Sequence, residues 1–163
     1  MRNQTLLRIA LMTVALGSCS GVKARSDFTK GTDFSVYKTY AWLPQHPTAD
    51  VDEIVLERIR SAVDEELAKD GLQLVPAAQA DLMVTQQSSV QEKVQVNDPY
   101  YSYDAYDVYE EGTLMIDLVD AKTSTLVWRG TGEARLQEDV GADEKEKRVK
   151  KVVSAILAKY PPS

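Results

Sequence analysis

The 163-residue chain carries 19 Lys and Arg against 25 Asp and Glu, with one His and one Cys, for a formal net charge of −6. An acidic chain is a poor match for nucleic acid or for docking on anionic lipid head groups, and a single cysteine excludes an internal disulfide framework. The length fits one ordinary domain with a real core, and no repeat with a period of roughly 20 to 50 residues is present.

The first eighteen residues, MRNQTLLRIALMTVALGS, hold Arg2 and Arg8, no acid, and an apolar run from Ile9 to Leu16 that ends in Gly17-Ser18. That is the pattern of a secretory signal peptide, and the run is about half the ~20 residues a transmembrane helix needs. Leu16-Gly17-Ser18-Cys19 resembles the bacterial lipobox, in which the cysteine sulfur takes a diacylglyceryl thioether before the leader is cut. Acyl chains contribute about 0.8 kcal/mol per buried methylene, so two or three of them make a durable anchor. By the same resemblance Ser20, which is not the aspartate that retains lipoproteins in the inner membrane, favours the outer membrane with the domain facing the periplasm. Lipid on Cys19 also accounts for an otherwise odd lone thiol in an oxidising compartment. Removing residues 1–18 moves the formal net charge to −8 and leaves about 145 residues to fold.

Residues 19–26 are expected as the lipidated cysteine and a short polar tether, or the start of a first strand near Lys23 to Phe28; the single domain follows over 27–163. Val36 to Trp42 mixes aromatic and β-branched residues before Pro44, which predicts a strand. Asp50, with Glu53 three residues on, can form a capping box. Val51, Ile54, Val55, Ile59, Ala62, Val63 and Leu67 then recur at helical spacing, and Gly71 supplies a stop, predicting a helix over 51–69. A short strand over 72–75 precedes a long one over 82–96, whose alternation is apolar at first and polar beyond Val90, as for a strand that leaves the core.

The stretch NDPYYSYDAYDVYEEG packs Tyr100, Tyr101, Tyr103, Tyr106 and Tyr109 among Asp98, Asp104 and Asp107 and is expected as a loop over 97–111. Gly112 then opens a hairpin of TLMIDLVD and STLVWRGTGEARL with a turn near Ala121 to Ser124. The last element, over 142–160, sets Val149, Val152, Val153, Ile156 and Leu157 on one face and pairs Glu144 with Arg148 and Glu146 with Lys150 on the other. The order predicts an α+β two-layer sandwich: a mainly antiparallel sheet with two amphipathic helices on one face.

TDFSVYKTYAWLP, the ADLMV that follows a helix ending in LAKDG, the AILAKYPP ending, and above all EEGTLMIDLVDAKTSTLVWRGTGEARL resemble the bacterial lipoprotein family of the DUF4136 domain. The resemblance covers nearly the whole mature chain and implies an exported, commonly lipidated α+β domain. It carries over no catalytic residues. Trp42 and Trp128 read as bulky core or edge anchors, Gly112 and Gly130 as turn or bulge positions, and Asp117 with Arg129 as a cross-hairpin pair.

No catalytic motif is present. His46 stands alone in a loop without a second zinc-type ligand, no G-x-S-x-G, Walker A or G-x-G-x-x-G occurs, and no cofactor or metal is expected. The five tyrosines suit a recognition surface for an envelope protein or peptidoglycan, since tyrosine offers large contact area at low entropic cost. Two other readings of the same stretch stay open: a solvated loop whose tyrosines cover the sheet end, and a calcium site on Asp98, Asp104 and Asp107, against which the absence of EF-hand spacing counts. The run DEKEKRVKK is expected as a solvated helix face. Two functions follow: a non-enzymatic binding or structural module of the cell envelope, or a small hydrolase using a carboxylate pair on envelope material.

Overall fold

In the computed structural model, residues 21–44, 52–96, 106–137 and 140–162 are described. Eight elements run β1 (Val22–Phe28), β2 (Thr39–Trp42), α1 (Glu53–Lys69), β3 (Gln73–Leu74), β4 (Leu82–Val96), β5 (Tyr106–Asp120), β6 (Leu126–Arg135) and α2 (Ala142–Leu157). The strands form one sheet in the order β1-β6-β5-β4-β2-β3, antiparallel except where β2 pairs in parallel with β3 and β4. The α+β sandwich expected from the sequence is what forms. None of the described helices is long and apolar enough to cross a membrane.

Period-2 alternation decides which face is buried. Tyr40, Trp42, Leu82, Val84, Leu114, Ile116, Leu118 and Trp128 all point to the covered side and join Ile59, Val63 and Leu67 of α1 and Val153, Ile156 and Leu157 of α2 in one core. Trp128 is fully buried, and its ring lies across Gly130. A Cβ on Gly130 would run into that ring and into Ile156, and one on Gly132 would stand 2.8 Å from Ile156 Cδ1. These glycines permit the close seating of α2 on β6, where the sequence suggested a turn or bulge for Gly130.

Local chemistry sets the element ends. Asp52, not Asp50, caps α1 by accepting from the Ile54 N–H at 2.8 Å; Asp50 lies outside the described residues. Gly71 sits at φ 84°, with Leu72 N–H donating to Leu67 O and Gly71 N–H to Ala68 O, the paired bonds of a Schellman stop. Asp33 accepts from Ser35 N–H and winds Phe34–Val36 into a 3₁₀ turn, so the strand predicted from Val36 begins only at Thr39. Strand β1 starts at Val22, and residues expected as tether up to 26 belong to the sheet, paired with β6. Helix α2 stops at Leu157, short of the predicted Tyr160, whose ring instead packs edge-on against Trp128 and Phe34. Burial pushes the Tyr160 hydroxyl up to about 12.

Two aspartates lock the far end of the sheet. Asp81 accepts from the N–H groups of Lys38 and Thr39 and from the Thr39 hydroxyl at 3.0–3.1 Å. Asp120 accepts from Thr123 and Lys122 N–H at 2.8 Å and from Tyr37 OH at 3.0 Å, forming the expected turn. These bonds, chiefly from Lys38 N–H for Asp81 and Thr123 N–H for Asp120, hold both carboxyls below their ordinary range against the opposing effect of burial.

Gly130→Ala is expected to destabilise the domain by roughly 1–3 kcal/mol through overpacking, read as a melting temperature lowered by several degrees; an unchanged value would contradict the close approach. A depressed carboxylate pKa stabilises fully above the unfolded value of about 3.9, and that contribution is lost as pH falls through the folded pKa. Asp81→Asn combined with Asp120→Asn is therefore expected to melt lower than the parent at neutral pH, and to lose less stability than the parent between about pH 5 and about pH 3. Parallel acid curves for the two proteins would contradict the assignment.

Candidate functional site

Strands β4 and β5 pair without a break through fifteen residues, from Leu82 opposite Asp120 to Val96 opposite Tyr106. Strand β6 accompanies β5 only as far as Arg135 opposite Glu111. Beyond that register the two long strands continue as a two-stranded arm. Tyr106 and Tyr109 are thus strand residues, and the loop expected over 97–111 is replaced by β structure from 106 onward. Gly112 likewise lies within β5, opposite Val90, instead of opening a hairpin. Tyr100, Tyr101, Tyr103, Asp98, Asp104, His46 and Cys19 lie outside the described residues.

One face of the arm continues the uncovered face of the sheet. There the Arg135 guanidinium stands 4.5 Å over the Tyr109 ring and Nη2 donates to Asp107 at 2.8 Å, while Lys93 pairs with Glu111 at 3.6 Å. Asp107, one of the three acids considered for calcium, is thereby engaged by an arginine. Among the described residues no three His, Cys, Asp or Glu side chains stand close enough to hold a metal ion. Further along the same face Arg129 forks onto Asp117, Nε to Oδ1 at 2.7 Å and Nη2 to Oδ2 at 2.6 Å, the cross-hairpin pair expected from the sequence. Asp117 is only 6% exposed, and Arg129 is the group that compensates its charge.

On the other face of the arm Val90, Val94 and Val108 flank the facing carboxylates Glu92 and Glu110. Val90, Val94 and Val108 are 42%, 60% and 55% exposed. Where the arm meets the body, a cleft of about 640 Å³ opens between the sheet and the first turns of both helices. Its floor is Leu114, Gly112 and Ala134, with Leu136 stacked over Gly112; its walls are Val55 and Ile59 of α1 and Val149 and Val152 of α2. Gly21 and Val22, at the start of β1, line it as well. Lys145, Lys147, Arg148 and Lys151 stand on its rim with Asp52, Glu110 and Glu144.

The rim carboxylates do not form a catalytic pair. Asp52 is spent on the α1 cap and Glu144 accepts from Arg148 at 3.2 Å. The carboxyls that are clearly displaced, Asp33, Asp70, Asp81 and Asp120, all lie away from the cleft. On the core side, Asp64 of α1 accepts from Tyr40 OH at 2.7 Å and Trp42 Nε1 at 2.9 Å. It ties the helix to β2, and burial followed by this hydrogen bond raises the Tyr40 hydroxyl well above its ordinary value. Sequence reasoning missed both Asp64 and the cleft; Asp64 interrupts an apolar helix face between Val63 and Leu67, which was the available signal.

A six-stranded sheet covered on one side by two helices, with an apolar cleft at their common entrance, defines a class of small α+β domain. The chain belongs to the family described as Domain of unknown function (DUF4136), whose model matches residues 24–162. Its fold is similar to that of a DUF4136 family protein from Bacteroides thetaiotaomicron VPI-5482, with a TM-score of 0.59 at 12% identity over 87% of this chain and 97% of that one. A PDZ domain protein from Parabacteroides distasonis ATCC 8503 gives a TM-score of 0.59 at 16% identity over 86% of this chain; the match spans only 35% of that larger protein. The PelC dodecamer from Paraburkholderia phytofirmans gives 0.51 at 13% identity over 84% of this chain and 95% of that one. No curated protein sequence matches the chain.

Arg135 joins β6 to the arm through an exposed ion pair and a cation–π contact, each worth up to about 1 kcal/mol. Arg135→Ala is expected to speed amide exchange a few-fold at 91–95 and 107–111 while leaving global melting unchanged. Exchange at the parent rate would show that the arm holds itself.

Proposed function

We propose that this protein is a cell-envelope lipoprotein, held to the outer membrane by lipid on Cys19 and facing the periplasm, that acts as a non-enzymatic binding or structural module. The leader with Leu16-Gly17-Ser18-Cys19 supports the anchor, and Ser20 supports the outer membrane. The observation that carries the binding reading is the arm. It extends past the register at which β6 ends and carries Tyr109, and in the sequence Tyr100, Tyr101 and Tyr103 fall between its two strands. An envelope protein or peptidoglycan is the partner such a surface suits, through stacking and hydroxyl hydrogen bonds. No geometric observation favours a hydrolase: the cleft is lined mainly by apolar side chains, Asp52 on its rim caps α1 and Glu144 is paired with Arg148.

Cys19→Ser is expected to leave an unprocessed precursor or to release the protein from the membrane fraction; a lipidated, membrane-bound product would contradict the anchor. A photoreactive residue in place of Tyr101 is expected to capture an envelope partner in living cells well above the level captured from Lys122 at the opposite end. Equal capture from both positions would contradict a partner at the arm.

A further inference from the structure

The apolar cleft calls for an occupant. Its lining side chains Val149, Val152, Leu114 and Leu136 leave a space of about 640 Å³ open to solvent, and Val90, Val94 and Val108 continue from it along the arm on either side of Glu92 and Glu110. Uncovered apolar surface of this extent marks a site for another apolar group.

Two further observations identify that group. Gly21 lines the cleft, and Cys19 stands two residues earlier, within roughly 7 Å of chain. An anchor at Cys19 therefore brings the mouth of the cleft to the bilayer surface. The second is the charge on the rim. Arg148 is paired with Glu144 and Asp52 is held in its cap, which leaves Lys145, Lys147 and Lys151, none with an ion-pair partner among the described residues, on the rim with Glu110. A cationic rim around an apolar floor matches an amphiphile with an anionic head. The uncharged diacylglyceryl chains of the protein's own anchor give those lysines nothing to bind.

We infer that the cleft is a lipid-binding site: it takes one acyl chain of an anionic phospholipid from the leaflet that holds the anchor, with Lys145, Lys147 and Lys151 on the head-group phosphate. This rests on the anchoring at Cys19 proposed above. The cleft end, with the arm valines, then lies against the membrane, and the Ala121–Ser124 turn points away from it.

The test uses the mature lipoprotein purified from cell membranes, in vesicles of phosphatidylethanolamine and phosphatidylglycerol doped with phosphatidylglycerol bearing a diazirine on one acyl chain. After irradiation and digestion, mass spectrometry is expected to find adducts on peptides containing Leu136, Val149 or Val152. Each lysine near an anionic head group is worth roughly fivefold, so a phosphatidylcholine probe with the same chain should label these peptides at least about tenfold less. The Lys145→Gln/Lys147→Gln/Lys151→Gln variant, altered only at exposed positions, should label equally with both probes. Equal labelling of the parent by the two probes, or adducts confined to the uncovered sheet face, would overturn the site. So would a cleft labelled only when the diazirine chain is the one on Cys19, which would assign the cleft to the protein's own anchor. The mass of the Cys19 peptide in the same digest separates the two ideas: lipid on Cys19 without cleft adducts removes the site and keeps the anchor. Cleft adducts on a protein with unmodified Cys19 would support the site and remove the anchor.

Discussion

Much of this molecule follows from a mismatch of lengths. Strands β4 and β5 are each fifteen residues long, close to 50 Å at about 3.3 Å per residue, whereas α1 and α2, with 17 and 16 residues, span about 25 Å at 1.5 Å per residue. Packed side by side as they are, the helices cannot cover the central pair of strands from end to end. They are seated at the end defined by Trp128, Tyr160 and the close approach of Ile156 to Gly130 and Gly132. The uncovered remainder therefore falls at the other end, as the arm and the cleft beneath it, and β1 begins at that same end.

This arrangement also explains why whole-chain charge is a poor guide here. A net charge of −6 argues against an anionic surface as partner, but electrostatic attraction is decided within a Debye length of about 8–10 Å. The acids are spread over helix caps, turns and paired positions on the sheet, among them Asp52, Asp81, Asp120 and Asp117. Lys145, Lys147 and Lys151 of α2, without an ion-pair partner among the described residues, line one cleft. The run DEKEKRVKK is a solvated helix face, as its spacing suggests, yet part of that face borders a cleft that helical periodicity alone does not reveal.

The elements legible in the sequence were those whose pattern is created by burial. The stripe from Ile59 to Leu67, the alternation from Leu82 to Gln86 and the apolar face from Val149 to Leu157 each mark a surface packed on the core. Asp117 and Arg129 were recognisable as a pair because opposite charges on adjacent strands of a hairpin meet on one face. The segment from Tyr106 to Glu111 reads as loop in the sequence because its strand is sustained by backbone pairing with β4 and not by burial, so no core imprints a periodic signal on it. Acidic residues are tolerated there since the arm lies outside the packed core and Asp107 is engaged by Arg135. The tether expected up to residue 26 overlaps β1, whose small Ala24 and Ser26 stand opposite Gly132 and Gly130 of β6 and carry little strand signal of their own.

The proposed anchor, the cleft and the arm share one end of the domain, which lipid on Cys19 would turn toward the membrane. The most direct measurement is nuclear magnetic resonance of the lipidated protein in nanodiscs containing a paramagnetic lipid, which broadens signals near the bilayer. Broadening concentrated at Val94, Val108 and Lys147, with Lys122 and Thr123 left sharp, is the predicted result. Broadening centred on the Lys122–Ser124 turn, or spread evenly over the domain, would contradict it.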